Sequence, residues 1–250
     1  MKQRIVNWLL AVTFLPFLLT SCGEHKQARV NVPPPPSVEP SQAAPPPAPA
    51  PPAEAKEDEE TIKIPARTKP ILVETGLASW YGPPYHNRRS ANGDVYNMHA
   101  MTAAHRTLPL GSIVRVTNVK TGHAALVRIT DRGPFIEGRM LDLSLAAAKK
   151  VDVWSPGVAT VRLEVLRVTA PLEGGRWAVQ IGAFEEQKAA DKFADHLSHR
   201  YHTAKVQCFP SPVGNWWLRV RVPDDDRGRA EEVAHETQSP EGSIFLVRLD

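Results

Sequence analysis

Apolar and polar positions change period several times along the chain, and each change marks an element. An apolar run over residues 5–19 is followed by a long stretch with no apolar period. Residues 75–81 then read as a strand ended by a Gly-Pro-Pro turn. Residues 100–106 have helical character and Pro109 stops them. Residues 112–118 and 124–130 alternate with period two around Thr121-Gly122, which predicts a hairpin. A short strand over 140–143, a helix over 144–150 with Ser144 at its N-cap, and a long strand over 158–168 complete this part. Many short strands with two short helices predict a small closed β-barrel. A linker over 170–175 leads into a strand at 177–184 and a helix at 186–200 with Ala190, Phe193, Ala194 and Leu197 on one face. Strands at 203–209 and 216–222, a helix at 227–237 and a strand at 243–249 follow. The order β-α-β-β-α-β predicts a ferredoxin-like split βαβ unit. The chain therefore reads as mostly β with an α+β portion, a barrel over 74–169 and a second domain over 170–250.

Composition changes the picture at the front of the chain. Lys2 and Arg4 precede the apolar run, and Leu19-Thr-Ser-Cys22 follows it, the charged, apolar and small-residue plan of an export signal over 1–21. The run is too short, and interrupted by Pro16, for a good membrane span. Eleven of the twenty residues from 33 to 52 are proline, and an acidic run over 54–60 follows. Such a segment buries no core and favours extended polyproline II, about 60 Å long at roughly 3.1 Å per residue. Residues 22–73 thus read as a tether. Cys208 is the one cysteine besides Cys22, so no disulfide framework is expected, and Cys208 reads as a strand filler. The net charge of +3 is mild, but residues 74–168 carry twelve Lys/Arg against seven Asp/Glu. That bias suits an acidic polymer without choosing between nucleic acid and a carboxylate-bearing cell wall.

Candidate chemistry centres on Arg128-Ile-Thr-Asp-Arg-Gly-Pro-Phe135, where a strand runs out into a Gly-Pro turn and leaves Asp131 beside Arg132. Two readings are open: a turn cap paired with Arg132, or a working carboxylate. Arg132 either holds a carboxylate of the ligand or neutralises Asp131 and lowers its pKa. Trp80 and Tyr81 are adjacent in a strand and should face opposite sides, one into the core and one toward a groove. None of the nine histidines falls in a metal-ligand spacing, and there is no phosphate loop, dinucleotide fingerprint or nucleophile elbow, so no metal and no cofactor are expected.

Ala78-Ser-Trp-Tyr-Gly82, Ser90-Ala-Asn-Gly-Asp94, Leu108-Pro-Leu-Gly111, Val114-Arg-Val-Thr-Asn118, Asp131-Arg-Gly-Pro-Phe135 and Asp142-Leu-Ser144 together resemble the rare lipoprotein A family of septal lytic transglycosylases. The resemblance implies a double-psi β-barrel that cuts the glycan strands of peptidoglycan, leaving 1,6-anhydro ends. It carries three roles onto this chain: Asp131 as general acid/base, His105 tuning or touching that carboxyl, and Asp94 as a second acidic residue. At Asp94 the family usually has glutamate, so the carboxylate here is one methylene shorter. Asp142 is read as a brace for the helix at Ser144. Trp177-Ala-Val-Gln-Ile-Gly-Ala-Phe184 resembles the opening strand of SPOR domains, which bind septal glycan stripped of stem peptides. This adds Trp177 and Gln180 to Arg132, Trp80 and Tyr81 as candidate substrate contacts. Leu19-Thr-Ser-Cys22 resembles a lipobox, implying a lipidated Cys22 and, with Gly23 after it, an outer-membrane anchor facing the periplasm. The expected partners are glycan strands, the outer membrane and division proteins, with nucleic acid excluded by export. An expansin-like barrel that binds glycan without cutting it is the alternative.

Overall fold

The computed structural model describes residues 64, 65 and 67–250; the export signal, Cys22 and the proline-rich tether lie outside them. Strands β1 (Leu72–Trp80), β2 (Thr102–His105), β3 (Ile113–Asn118), β4 (Ala124–Asp131), β5 (Arg139–Leu143) and β6 (Ala159–Arg167) close into a barrel in the order β1-β5-β2-β4-β3-β6. Helix α1 (Leu145–Lys150) follows β5. Alternation sorts the side chains. Ala78, Ala103, Val127, Ile129, Leu141, Leu143, Leu163 and Val165 turn inward and are fully buried. Each large one among them contributes on the order of 1.5–3 kcal/mol by leaving water. β3 and β4 form the hairpin expected around Gly122, which sits at φ +76, a conformation glycine adopts without a Cβ clash.

One element differs in kind from the sequence reading. Residues 102–105 are a strand, not the end of a helix. β2 pairs parallel with β4 on one side and antiparallel with β5 on the other, and Ala103 plugs the barrel interior. Alanine's helix preference amounts to a few tenths of a kcal/mol per residue. Two ladders and a buried side chain outweigh it.

The second domain is a four-stranded antiparallel sheet ordered β10-β7-β9-β8, from β7 (Trp177–Phe184), β8 (Lys205–Pro210), β9 (Trp216–Arg221) and β10 (Ser243–Arg248). Helices α2 (Gln187–Arg200) and α3 (Arg227–Glu236) cover one face, packing on Trp177, Val179, Ile181, Leu218 and Val220. This is the split βαβ topology the pattern predicted. Half-buried Cys208 packs beneath α2 in β8, where burial and Asp191 push its thiol up to about 11.

Ser144 joins the barrel to α1. Its Oγ accepts from the Ala147 N–H at 3.1 Å and donates to the Ala100 carbonyl at 2.7 Å. Ser144→Ala removes both bonds and should lower stability by about 1–2 kcal/mol, read as a reduced urea midpoint at unchanged slope.

Candidate active site

The site is built from one lateral row of residues across four strands. In the β1–β5 ladder Ser79 stands opposite Asp142; in the β2–β5 ladder Ala104 stands opposite Asp142; in the β2–β4 ladder Ala104 stands opposite Asp131. Residues opposite one another share a face of the sheet. Ala103 fills the barrel, so this row lies on the outer face. Asp131 reaches that face only because of a bulge. The register jumps from Ala103–Ile129 to Ala104–Asp131, so Thr130 is the extra residue. Without it, Asp131 would alternate back to the side of Ile129. Two strand spacings of about 4.8 Å set the α-carbons of Asp131 and Asp142 roughly 10 Å apart.

Tyr81, Tyr96 and Ala104 form a small buried cluster above this floor, with Tyr85 and Met98 against it. The Tyr81 and Tyr96 rings stack at 4.3 Å, and the Tyr96 hydroxyl donates to the Tyr81 carbonyl at 2.8 Å. The Tyr81 and Thr102 hydroxyls are both buried and lie against one another, neither in a well-formed hydrogen bond to another described residue.

Both floor carboxyls hold their protons to higher pH than an ordinary aspartate. For Asp131 burial raises the pKa, outweighing N–H donation to Oδ1 from Arg132 at 2.8 Å and Ala91 at 2.9 Å, and the pull of the Arg132 and Arg219 charges. For Asp142 burial again wins, here over the Arg139 guanidinium 3.4 Å from Oδ2 and the Ser79 hydroxyl donating to Oδ1 at 2.5 Å. The loop over residues 82–97 is pinned to the same strand end, since the Asn92 N–H donates to the Thr130 carbonyl at 3.1 Å.

Residues 73–163 match the profile of the lytic transglycolase family, and residues 173–243 match that of the SPOR domain. The barrel is thus matched by a lytic transglycolase domain and the C-terminal sheet by a SPOR domain, and the chain is similar to proteins named RlpA. It is 39% identical over 162 residues to the endolytic peptidoglycan transglycosylase RlpA of Helicobacter pylori, covering 52% of each chain. To the protein of that name from Vibrio cholerae it is 51% identical over 100 residues, covering 40% of this chain and 38% of that one. The chain thus spans about half the length of the Helicobacter relative.

The expected site residues divide. Asp131 lies on the floor and Tyr81 above it, while Trp80 packs against the barrel core, so the two aromatics part as adjacent strand residues should. Asp142 is more than a brace for α1: its carboxyl belongs to the floor. The signal that could have found it is the run Met140-Leu-Asp-Leu143, in which a polar residue interrupts an otherwise apolar strand.

His105 does not meet Asp131. It stands opposite inward-facing Leu141, its Nδ1 accepts from the N–H groups of Thr107 at 3.2 Å and Leu108 at 3.1 Å, and its Nε2 lies 3.8 Å from Glu74. Burial lowers its pKa, so the ring is neutral at pH 7 with its proton toward Glu74. It shapes the turn over residues 105–108, whose carbonyls hold Arg132.

Arg132 is likewise not free to take a ligand carboxylate. Its Nη1 donates to the carbonyls of His105 at 3.0 Å and Leu108 at 2.6 Å, and its Nη2 to that of Asp250. Burial draws its pKa down to about 10.

Asp94 is exposed and accepts from the Asn92 side chain at 2.6 Å; its loop is tied to Asp131 through Ala91, but its carboxylate turns aside. Trp177 faces the helices, 2% exposed, with Nε1 donating to the Gly174 carbonyl, so its ring offers no surface for a sugar. Gln180 points to the opposite face, where Oε1 accepts from Arg219 at 2.7 Å.

The raised carboxyls have a thermodynamic signature. A folded-state pKa above the unfolded value means that, as pH climbs through the unfolded value, the unfolded chain sheds its proton first and stability falls until the folded pKa is passed. Asp131→Asn removes that share of the slope. Urea unfolding between pH 3.5 and pH 7 should show a smaller fall for the variant than for the parent chain, and equal slopes would contradict the shift.

Proposed function

We propose that this chain is a lytic transglycosylase acting on peptidoglycan glycan strands, with Asp131 as its general acid and base. The observation that carries the reading is the pair of carboxyls with raised pKa, Asp131 and Asp142, side by side on the outer face of the barrel beneath the buried Tyr81 phenol. The names of the relatives point the same way. Cleaving the bond requires an acid for the leaving oxygen and negative charge beside the oxocarbenium-like centre. Asp131 has Oδ1 engaged by two backbone N–H groups, so we give Oδ2 the proton to hand to the glycosidic oxygen. The resulting carboxylate then takes the proton of the muramic acid's own 6-hydroxyl as that oxygen attacks C1. The product is a 1,6-anhydro ring, no water is consumed, and Asp131 ends protonated as it began. Asp142 ionises at higher pH than an ordinary aspartate; in its ionised form, held against Arg139 and Ser79, it supplies the charge opposite the developing cation. The Tyr81 hydroxyl, kept protonated by burial, binds a sugar oxygen.

The wider placement is also our proposal. Lipidation at Cys22 would anchor the chain in the outer membrane, and the proline-rich tether would let the barrel reach the wall. The C-terminal domain would select glycan without stem peptides at the division septum, among division proteins. A second reading, in which the barrel binds glycan without cutting, draws support from Asp94, whose exposed carboxylate turns toward Asn92 rather than the floor.

Incubation with purified glycan strands, followed by mass spectrometry, separates the two. The parent should yield anhydro-ended fragments, and Asp131→Asn should cut slower by about 10²–10⁴-fold. Intact strands from the parent would leave binding alone. In the same assay Asp94→Glu lengthens the reach of that carboxylate and should raise the rate, by up to about a hundredfold if a shortfall near 1 Å limits it; an unchanged rate would remove Asp94 from the mechanism.

A further inference from the structure

The sheet of the C-terminal domain carries helices on one face only, so its other face should be open to water. It is not. Ala178 and Val247 are 0% exposed and Gln180 2%, with Trp217 and Phe245 nearly as buried. The barrel covers them. The Phe135 ring, in the loop that follows Asp131, lies 5.3 Å from Trp217 and 5.8 Å from Phe245. The Arg106 guanidinium sits over Phe245 at 5.3 Å. The Arg248 N–H donates to the Arg106 carbonyl at 3.0 Å, Ser243 reaches Glu137 at 3.4 Å, and Arg132 holds the Asp250 carbonyl.

The covered face has the chemistry of a sugar-binding surface. Trp217, Phe245 and Phe209 offer ring faces, and Gln180 offers an amide. Arg219, largely withdrawn from solvent over the Phe209 ring, has an Nε with no hydrogen-bond partner among the described residues. Such a guanidinium suits the lactyl carboxylate that muramic acid bears once its stem peptide is gone. In the docked state Arg219 instead lends its charge to Asp131.

We propose that this face is shared between two exclusive occupants: it holds either the barrel's 133–135 loop or a peptide-free glycan strand. A strand that takes the face must displace Phe135, and in doing so draws the sheet away from Asp131. Glycan capture by the second domain thereby opens the first. This rests on the reading of the chain as an enzyme of wall glycan, but it concerns binding and is tested by binding.

The test uses the full chain with Cys22→Ser and Cys208→Ser, and co-sedimentation with peptide-free glycan strands as the readout. Phe135→Ala loosens the docked state without altering the sheet and should tighten binding about tenfold, because a face that is free more often binds more tightly in proportion. Phe135→Leu, which keeps an apolar plug, should stay near the parent and controls for folding. In the same chain, Glu137→Cys with Ser243→Cys joined by a short bismaleimide fixes the docked state and should cut binding at least tenfold. Unchanged or weaker binding by Phe135→Ala, or full binding by the cross-linked chain, would overturn the exclusion. Tighter binding by Phe135→Ala with no anhydro ends from any form would instead sink the transglycosylase reading and leave the exclusion standing.

Discussion

Ala104 has Asp142 on one side and, because Thr130 is looped out of the β2–β4 ladder, Asp131 on the other. The candidate chemistry depends on that pairing. Strand alternation would otherwise send Asp131 to the side of Ile129, where a lone carboxyl among aliphatic groups would be destabilising. The bulge puts the carboxyl outside while leaving the barrel packing intact on either side, and it ends the strand where the Asp-Arg-Gly-Pro turn begins. Gly133, at φ +139, lets the chain turn there without a Cβ clash. Scaffold and site are thus separated by a single inserted residue.

Burial, more than neighbouring charge, sets the electrostatics of the floor. Asp131 feels two guanidinium groups and accepts two backbone N–H bonds, yet its pKa still moves up. Asp142 follows the same rule beside Arg139. The fear that Arg132 would hold Asp131 ionised is met by geometry, since that guanidinium is directed at main-chain carbonyls. His105 enters through the same clamp. Its ring holds the turn by accepting two main-chain N–H groups and does not meet the Asp131 carboxyl.

Much of the fold was legible in the sequence because the deciding signals are local. Period-two alternation marked β3 and β4, and Ser144 marked the start of α1 by its own hydrogen bond. Residues 102–105 were misread because short alanine-rich segments carry little local preference, and the two ladders that fix β2 come from distant strands. The site was legible where a motif sits at a strand end, as at Asp131, and illegible where the partner is lateral. Asp142 is eleven residues away in sequence and two strands away in space, a relation visible only once the register is known. Trp177 and Gln180 show the same limit. Alternation says they face opposite sides, but only the placement of α2 and α3 says which side is core.

The clamp on Arg132 has an evolutionary corollary. Its acceptors are main-chain oxygens at positions 105, 108 and 250, and every amino acid supplies one. The guanidinium end has no such latitude: lysine lacks the planar fork that spans three carbonyls. The side chains at two of the acceptor positions have duties of their own: Leu108 is buried in the barrel core, and the Asp250 carboxylate accepts from the Arg176 N–H at 2.9 Å and from Arg248 at 3.0 Å. At the clamp itself the chemical demand is therefore one-sided: any residue supplies the accepting oxygen, and arginine alone supplies the fork.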